Sequence, residues 1–253
     1  VSIQFGSASS NTLHSVQGAH SQIPSFPITM SIWFYSNRTS GREPLLSFIC
    51  TDFEADGEPF ELSLSMLSNA TTTNRRVEAV VADWFNGIVR AQTQTGAGAG
   101  WSTNSWVHAA GIFESSIRTP FLNGESSGSN TILFSNPSEF TSNPFVRLNM
   151  SVGSSPVIIG HDTEGQQVSM AEAAIWNTVL EKEEIFALFR GAKPKTIRPE
   201  FLIFYSPLVR GNSYFVSEET GNCPEFINYH QSGPPPWEAT PSYGLVDHPR
   251  RYG

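Results

Sequence analysis

The chain is short of charge, of lysine, of cysteine and of long apolar runs. Charged residues fill 15% of its 253 positions, and only Lys182, Lys193 and Lys195 among the basic ones are lysines. The formal net charge is −8, which excludes a broad nucleic-acid-binding face. No apolar run approaches the ~20 residues of a membrane-spanning helix, so no membrane insertion is expected. Val1 to Phe5 lacks the basic start and apolar stretch of a signal peptide. Two cysteines, Cys50 and Cys223, are too few for a disulfide scaffold or a Cys-based zinc site. No spacing signal pairs them, and they read as independent thiols. No internal repeat is visible.

The abundant residues point to strands. Eighteen Phe and six Trp exclude disorder. Twenty Gly, 17 Pro and many Ser and Thr suit strands and loops better than helices. Period-2 alternation dominates. Val1, Ile3 and Phe5 open a strand. Ile28, Met30, Ile32 and Phe34 form one face of another, with Trp33 and Tyr35 on the opposite face. Leu45 to Cys50, Phe60 to Met66 and Val77 to Val81 continue the series, and Trp106 to Phe113 is apolar on both faces. Pro120 to Leu122 runs into Asn123-Gly124, the strongest hairpin signal in the chain. Val157 to Gly160, Ala171 to Trp176 and Phe201 to Tyr205 complete the strands.

A single segment reads as a helix, residues 181–190. Ile185, Leu188 and Phe189 share a face, acids fill the first turn, and Gly191 and Pro194 follow as stop signals. Many short strands with one late helix describe an all-β, antiparallel sandwich. Residues 1–207 make that sandwich. Residues 208–253, with Pro234 to Pro236 and scattered aromatics, read as an extended C-terminal arm without a core of its own. Its aromatics call for apolar pockets, on its own sandwich or on a neighbouring subunit.

Five segments resemble one family in its own order. Ile28 to Phe34 is similar to an "FTISAWF" strand, and Ser105 to Phe113 to "W-x-H-(V/A)-A". Phe121 to Gly124 is similar to "LYVNG", Val157 to Gly160 to an "IG" strand, and Ala171 to Ile185 to "IDEVRIWNRALSxEEI". These are motifs of laminin-G-like and pentraxin-like domains, whose fold is the concanavalin A-like jelly-roll sandwich. Leu202 to Arg210 and His248 to Arg250 resemble the subset found in phage virion proteins. That resemblance implies a non-enzymatic virion surface protein, a capsid decoration or fibre-type protein, with capsid or other virion proteins and its own copies as partners. Its place would be the virion surface, after assembly in the host cytoplasm. The other reading is a secreted or cell-surface carbohydrate-binding module, with calcium as its one candidate cofactor.

Candidate chemistry is sparse. Glu54, Asp56 and Glu58 fit E-x-D-x-E, the spacing that some hydrolases of this fold carry on one strand for retaining chemistry. Here Asp52, Gly57 and Pro59 surround them, as in a solvated acidic loop, and no catalytic residue is assigned. Asp52 and Asp56 are candidate oxygen ligands for a hard cation, with Asp162 as an isolated third. The D-G-x-W-H segment that often precedes the family's central strand is replaced by Asn104-Ser105-Trp106. Gly-rich residues 95–100 join no strand to a helix, so they are no phosphate cradle. Trp84, Phe85 and Trp101 flank that stretch and are the candidates for stacking on a ligand. Trp33, Trp106 and Trp176 are assigned to the core. His108 matches the family's strand histidine and is read as structural.

Overall fold

A computed structural model describes residues 3–5, 13–15, 26–37, 39, 41–53, 58–68, 75–83, 87–92, 100–114, 117–126, 130–131, 145–148, 168–206 and 226–228. They form β1 (Ile3–Phe5), β2 (Leu13–Ser15), β3 (Ile28–Ser36), β4 (Gly41–Phe53), β5 (Glu58–Ser68), β6 (Arg76–Asp83) and β7 (Gly87–Gln92). Next come β8 (Trp106–Phe113), β9 (Ile117–Leu122), β10 (Glu125–Ser126), β11 (Asn130–Thr131), β12 (Phe145–Leu148) and β13 (Val168–Trp176). The chain then makes helix α1 (Lys182–Phe189), β14 (Leu202–Ser206) and β15 (Phe226–Asn228).

Alternation in the sequence becomes two facing antiparallel sheets. One has eight strands along β1-β13-β3-β8-β9-β10, with β14 beside β1 on the outer edge of β13 and β11 beside β10 on that of β9. The other has seven, in the order β15-β2-β12-β4-β5-β6-β7. Such non-sequential neighbours are what a jelly roll requires. The inner faces interdigitate. Ile28, Met30, Ile32 and Phe34 of β3 and Val107, Ala109 and Phe113 of β8 meet Leu62, Leu64 and Met66 of β5 and Val77, Ala79 and Val81 of β6. Gly111 leaves room for the facing sheet: a Cβ there would lie 3.2 Å from Leu64 and 3.4 Å from Ala79.

A second core covers the outer face of the eight-stranded sheet, and it explains why β8 is apolar on both sides. Ala110, Ile112, Phe121, Ala174, Trp176 and Tyr205 of the sheet pack under Leu180, Ile185 and Leu188. Trp33 lies on this face as well, stacked against Phe189 of α1 at 6.1 Å between centroids. Trp33 and Trp176 are therefore core residues under the helix. Trp106 departs from its assignment. It is only half-buried, tilted against Tyr35 at 6.0 Å, on an outward-facing row of the sheet.

The helix follows its local signals. Glu184 accepts from the Glu181 N–H at 2.7 Å and from Arg198 at 2.7 Å. Gly191 has φ 96°, and Ala192 N–H reaches the Ala187 carbonyl at 2.9 Å. That is a left-handed C-terminal stop. Asn123 and Gly124, at φ 52° and 82°, form the two-residue turn between β9 and β10. That backbone is the one an Asn-Gly hairpin favours. β13 carries a bulge near Glu172, which has φ 56° and accepts from the Tyr205 hydroxyl at 2.6 Å.

Of the C-terminal arm, Phe226–Asn228 is described, and it adds an edge strand to its own sandwich by pairing with Leu13–Ser15. The expected strand over Val157 to Gly160, Cys223 and the Cys50 side chain lie outside the described residues.

Candidate binding site

The seven-stranded sheet brings two groups of sequence candidates to one end. β4 closes at Phe53 opposite Glu58 of β5, and β6 closes at Asp83 opposite Gly87 of β7. Because Phe60 pairs with Asp83, both hairpin ends point the same way. With strands about 4.8 Å apart, they are about 10 Å from each other across the sheet. Asp52 lies in the last turn of this register, on β4. Asp56 and Glu54 fall in the β4–β5 connection, and Trp84 and Phe85 in the β6–β7 connection, outside the described residues. Asp162, between β12 and β13, is outside them too.

The acidic segment differs from a single loop. Asp52 belongs to β4 and Glu58 to β5, so only residues 54–57 connect the strands. Glu58 therefore lies on the strand that pairs with the one carrying Asp52. β4 ends at Phe53 and β5 begins at Glu58, so neither described strand carries the whole E-x-D-x-E run. Among the described residues, no three His, Cys, Asp or Glu side chains gather as a metal site.

Trp101 does not join the aromatic candidates. It is 1% exposed and belongs to the inner core, edge-on to Phe34 at 5.3 Å. Its indole N–H donates to the Arg76 carbonyl at 3.3 Å, at the start of β6. Asp83 is seven positions on from Arg76 along β6, so Trp101 lies about 23 Å from the Asp83 end at the rise of a strand. The sequence places Trp101 beside a Gly-rich stretch, which suggests a surface ring. What it does not show is the long-range tie of Asn104 N–H to the Ser36 carbonyl at 2.9 Å, which turns this segment in toward the core.

Several polar residues that no motif singled out lie along the outward row of the same sheet. Ser47, Ser63, Ser65 and Glu78 are all buried. Ser63 and Ser65 hydroxyls are 2.9 Å apart. Arg42 on β4 grips the Glu78 carboxylate on β6 through Nε and, at 3.0 Å, through Nη2. Alternation alone marks these positions as outward-facing polar residues. Their burial depends on neighbours distant in sequence, which no local pattern reports.

His108 is structural, as its strand position suggests. It is fully buried, with Nε2 2.9 Å from the Ser31 hydroxyl and the Trp33 ring 5.2 Å away. Burial pushes its imidazole down to a pKa of about 3, so it is neutral at ordinary pH and unsuited to acid–base work there.

Comparison with known proteins agrees with this architecture. A family model described as "Concanavalin A-like lectin/glucanases superfamily" matches residues 7–186. No curated protein sequence matches the chain. Among solved structures, a heptameric SAP-like pentraxin from Limulus polyphemus aligns over 89% of this chain and 91% of its own, at 9% identity and a TM-score of 0.57. The receptor binding domain of botulinum neurotoxin D aligns over 75% of this chain at 13% identity and a TM-score of 0.51. The binding domain of Paraclostridial Mosquitocidal Protein 1 aligns over 74% at 15% identity and 0.50. This chain spans 44% and 42% of those two binding domains. At such identities the likeness is one of fold.

Proposed function

The chain belongs to the concanavalin A-like lectin/glucanase superfamily, and on that premise we propose that it is a non-enzymatic, lectin-like binding protein of a phage virion surface. The observation that carries the binding reading is the shared end of β4–β5 and β6–β7, where the registers bring an acid-bearing and an aromatic-bearing connection side by side. Aromatic rings give a sugar ring an apolar face to stack on, and carboxylates accept its hydroxyls. Trp84, Phe85, Asp52 and Asp56 are the residues proposed to contact the glycan. The non-enzymatic part is supported by β4 ending at Phe53 and β5 beginning at Glu58, which leaves the E-x-D-x-E run on neither strand alone, and by the neutral, enclosed His108. The virion placement rests on the resemblance of Leu202 to Arg210 and His248 to Arg250 to phage virion proteins.

Two assays test the two halves of this reading. The purified chain should cosediment with capsids of the phage that encodes it, and a chain that stays in the supernatant at capsid excess would remove the virion placement. Incubation with β-glucans and related polysaccharides should release no reducing ends. Turnover that disappears in Glu54→Gln or Glu58→Gln would make the chain a glycosidase instead.

A further inference from the structure

Just ahead of β6, Arg75 carries two guanidinium nitrogens that meet no hydrogen-bond acceptor among the described residues. Arg75 is 5% exposed, and its Nε and Nη1 are buried without a partner. Its guanidinium lies over the Trp101 ring, 5.4 Å from the centroid. That ring is fixed by its bond to the Arg76 carbonyl and by its edge contact with Phe34. The cation therefore has a rigid aromatic wall behind it and unused donors beside it.

The balance of energies makes this unusual. A desolvated cation–π contact is stabilising. It offsets only part of the cost of burying a charge without a counter-charge, and a buried donor left unpaired adds to that cost. Arg42 shows the alternative within the same sheet, since it holds the Glu78 carboxylate through two nitrogens. Among the described residues, no carboxylate bonds to Arg75 Nε or Nη1. Guanidinium donors are matched in geometry and charge by oxyanions.

We propose that Arg75 receives an oxyanion from outside the chain, a carboxylate or a sulfate group, in a site walled by Trp101 where β6 begins. This site is at the opposite end of the sheet from the proposed glycan contacts and does not depend on them. Two sources supply that chemistry: a free inorganic oxyanion, or the acidic group of a uronic acid or sulfated sugar.

Titration of the whole chain with sodium sulfate and, separately, with glucuronate tests the proposal, against sodium chloride at equal ionic strength. At a hundredfold excess over Kd, a saturable rise in Tm of about 5–10 °C is expected from at least one of the two. Arg75→Met should abolish the rise, and Arg190→Met, at an exposed position, should keep it. Sulfate also stabilises proteins by exclusion from their surface, so an equal rise in Arg75→Met overturns the proposal. Should Arg75→Met fail to fold, the side-chain Nε resonance of Arg75 in the wild-type chain decides. A saturable shift with either anion supports the site, and an unmoved resonance with both overturns it. A response to glucuronate identifies a uronic acid as a source, a response to sulfate alone identifies a sulfate group, and repeating the titration with glucose 6-sulfate then separates a sugar-borne sulfate, which binds more tightly than sulfate, from the free ion, which does not.

Discussion

His108 is enclosed by Trp33 on β3 and Phe189 on α1, and its backbone is held by Asn123 through two hydrogen bonds of 3.0 and 2.8 Å. Desolvation is the one cause that lowers its pKa to about 3. The unfolded chain binds the proton near pH 6.5. The His108 contribution to stability is therefore complete above pH 6.5 and is lost as pH falls toward 3, at about 1.4 kcal/mol per unit. Between pH 7 and pH 4.5 this amounts to about 2.5 kcal/mol by the same relation. Urea unfolding of the wild-type chain and of His108→Gln should differ in pH dependence by that amount, which separates His108 from the carboxylates. Identical pH profiles would show that folding leaves the proton affinity of the imidazole unchanged. The enclosure of this ring was half legible in the sequence. Apolar neighbours on both sides of β8 mark a covered strand, but they do not say that a helix some 80 residues away supplies the cover.

At the scale of elements, local chemistry made α1 and the β9–β10 hairpin legible. Their caps and turn residues act within a few positions: Glu184 on Glu181, Gly191 after the last turn, Asn123-Gly124 in the hairpin. The same logic separates two glycines. Gly191 has φ 96° with open space around it, so Gly191→Ala meets backbone strain alone, about 1 kcal/mol. Gly124 has φ 82°, and a Cβ there would come within 3.2 Å of the Phe186 backbone and 3.1 Å of Phe189. Gly124→Ala should therefore cost at least about 1 kcal/mol more than Gly191→Ala in thermal unfolding. Equal costs would mean that α1 does not press on the hairpin. Glu184→Ala removes both a helix-start hydrogen bond and the Arg198 contact, and about 1 kcal/mol of stability with them. The short β2, β12 and β15 had no such local signal. Three or four residues cannot display an alternation, and their pairing is set by partners far along the chain.

For the whole molecule, both cores of the described residues are built from residues between Ile28 and Tyr205, ahead of the arm. The arm's described part contributes one three-residue edge strand. Truncation after Arg210 should leave the β-sheet far-UV spectrum and a cooperative melt in place, with a cost of a few kcal/mol at most for an edge element of that size. A chain that no longer folds would place the arm in the core. The same scale decides how the site is read. Neither the acidic nor the aromatic segment is a motif by itself, and only the hairpin registers put them at one end. Trp101, adjacent to those aromatics in the sequence, is carried to the other end and buried.

The most direct test of the binding account is glycan-array retention of the wild-type chain and of the double variant Trp84→Ala, Phe85→Ala, each with calcium and with a chelator. The account predicts saturable retention by the wild type and at least a ~10-fold loss in the variant at unchanged Tm. Dependence on calcium would assign Asp52 and Asp56 a part in the same site. Retention that is equal in the two proteins would contradict the account, because the ligand would then be held elsewhere on the sandwich.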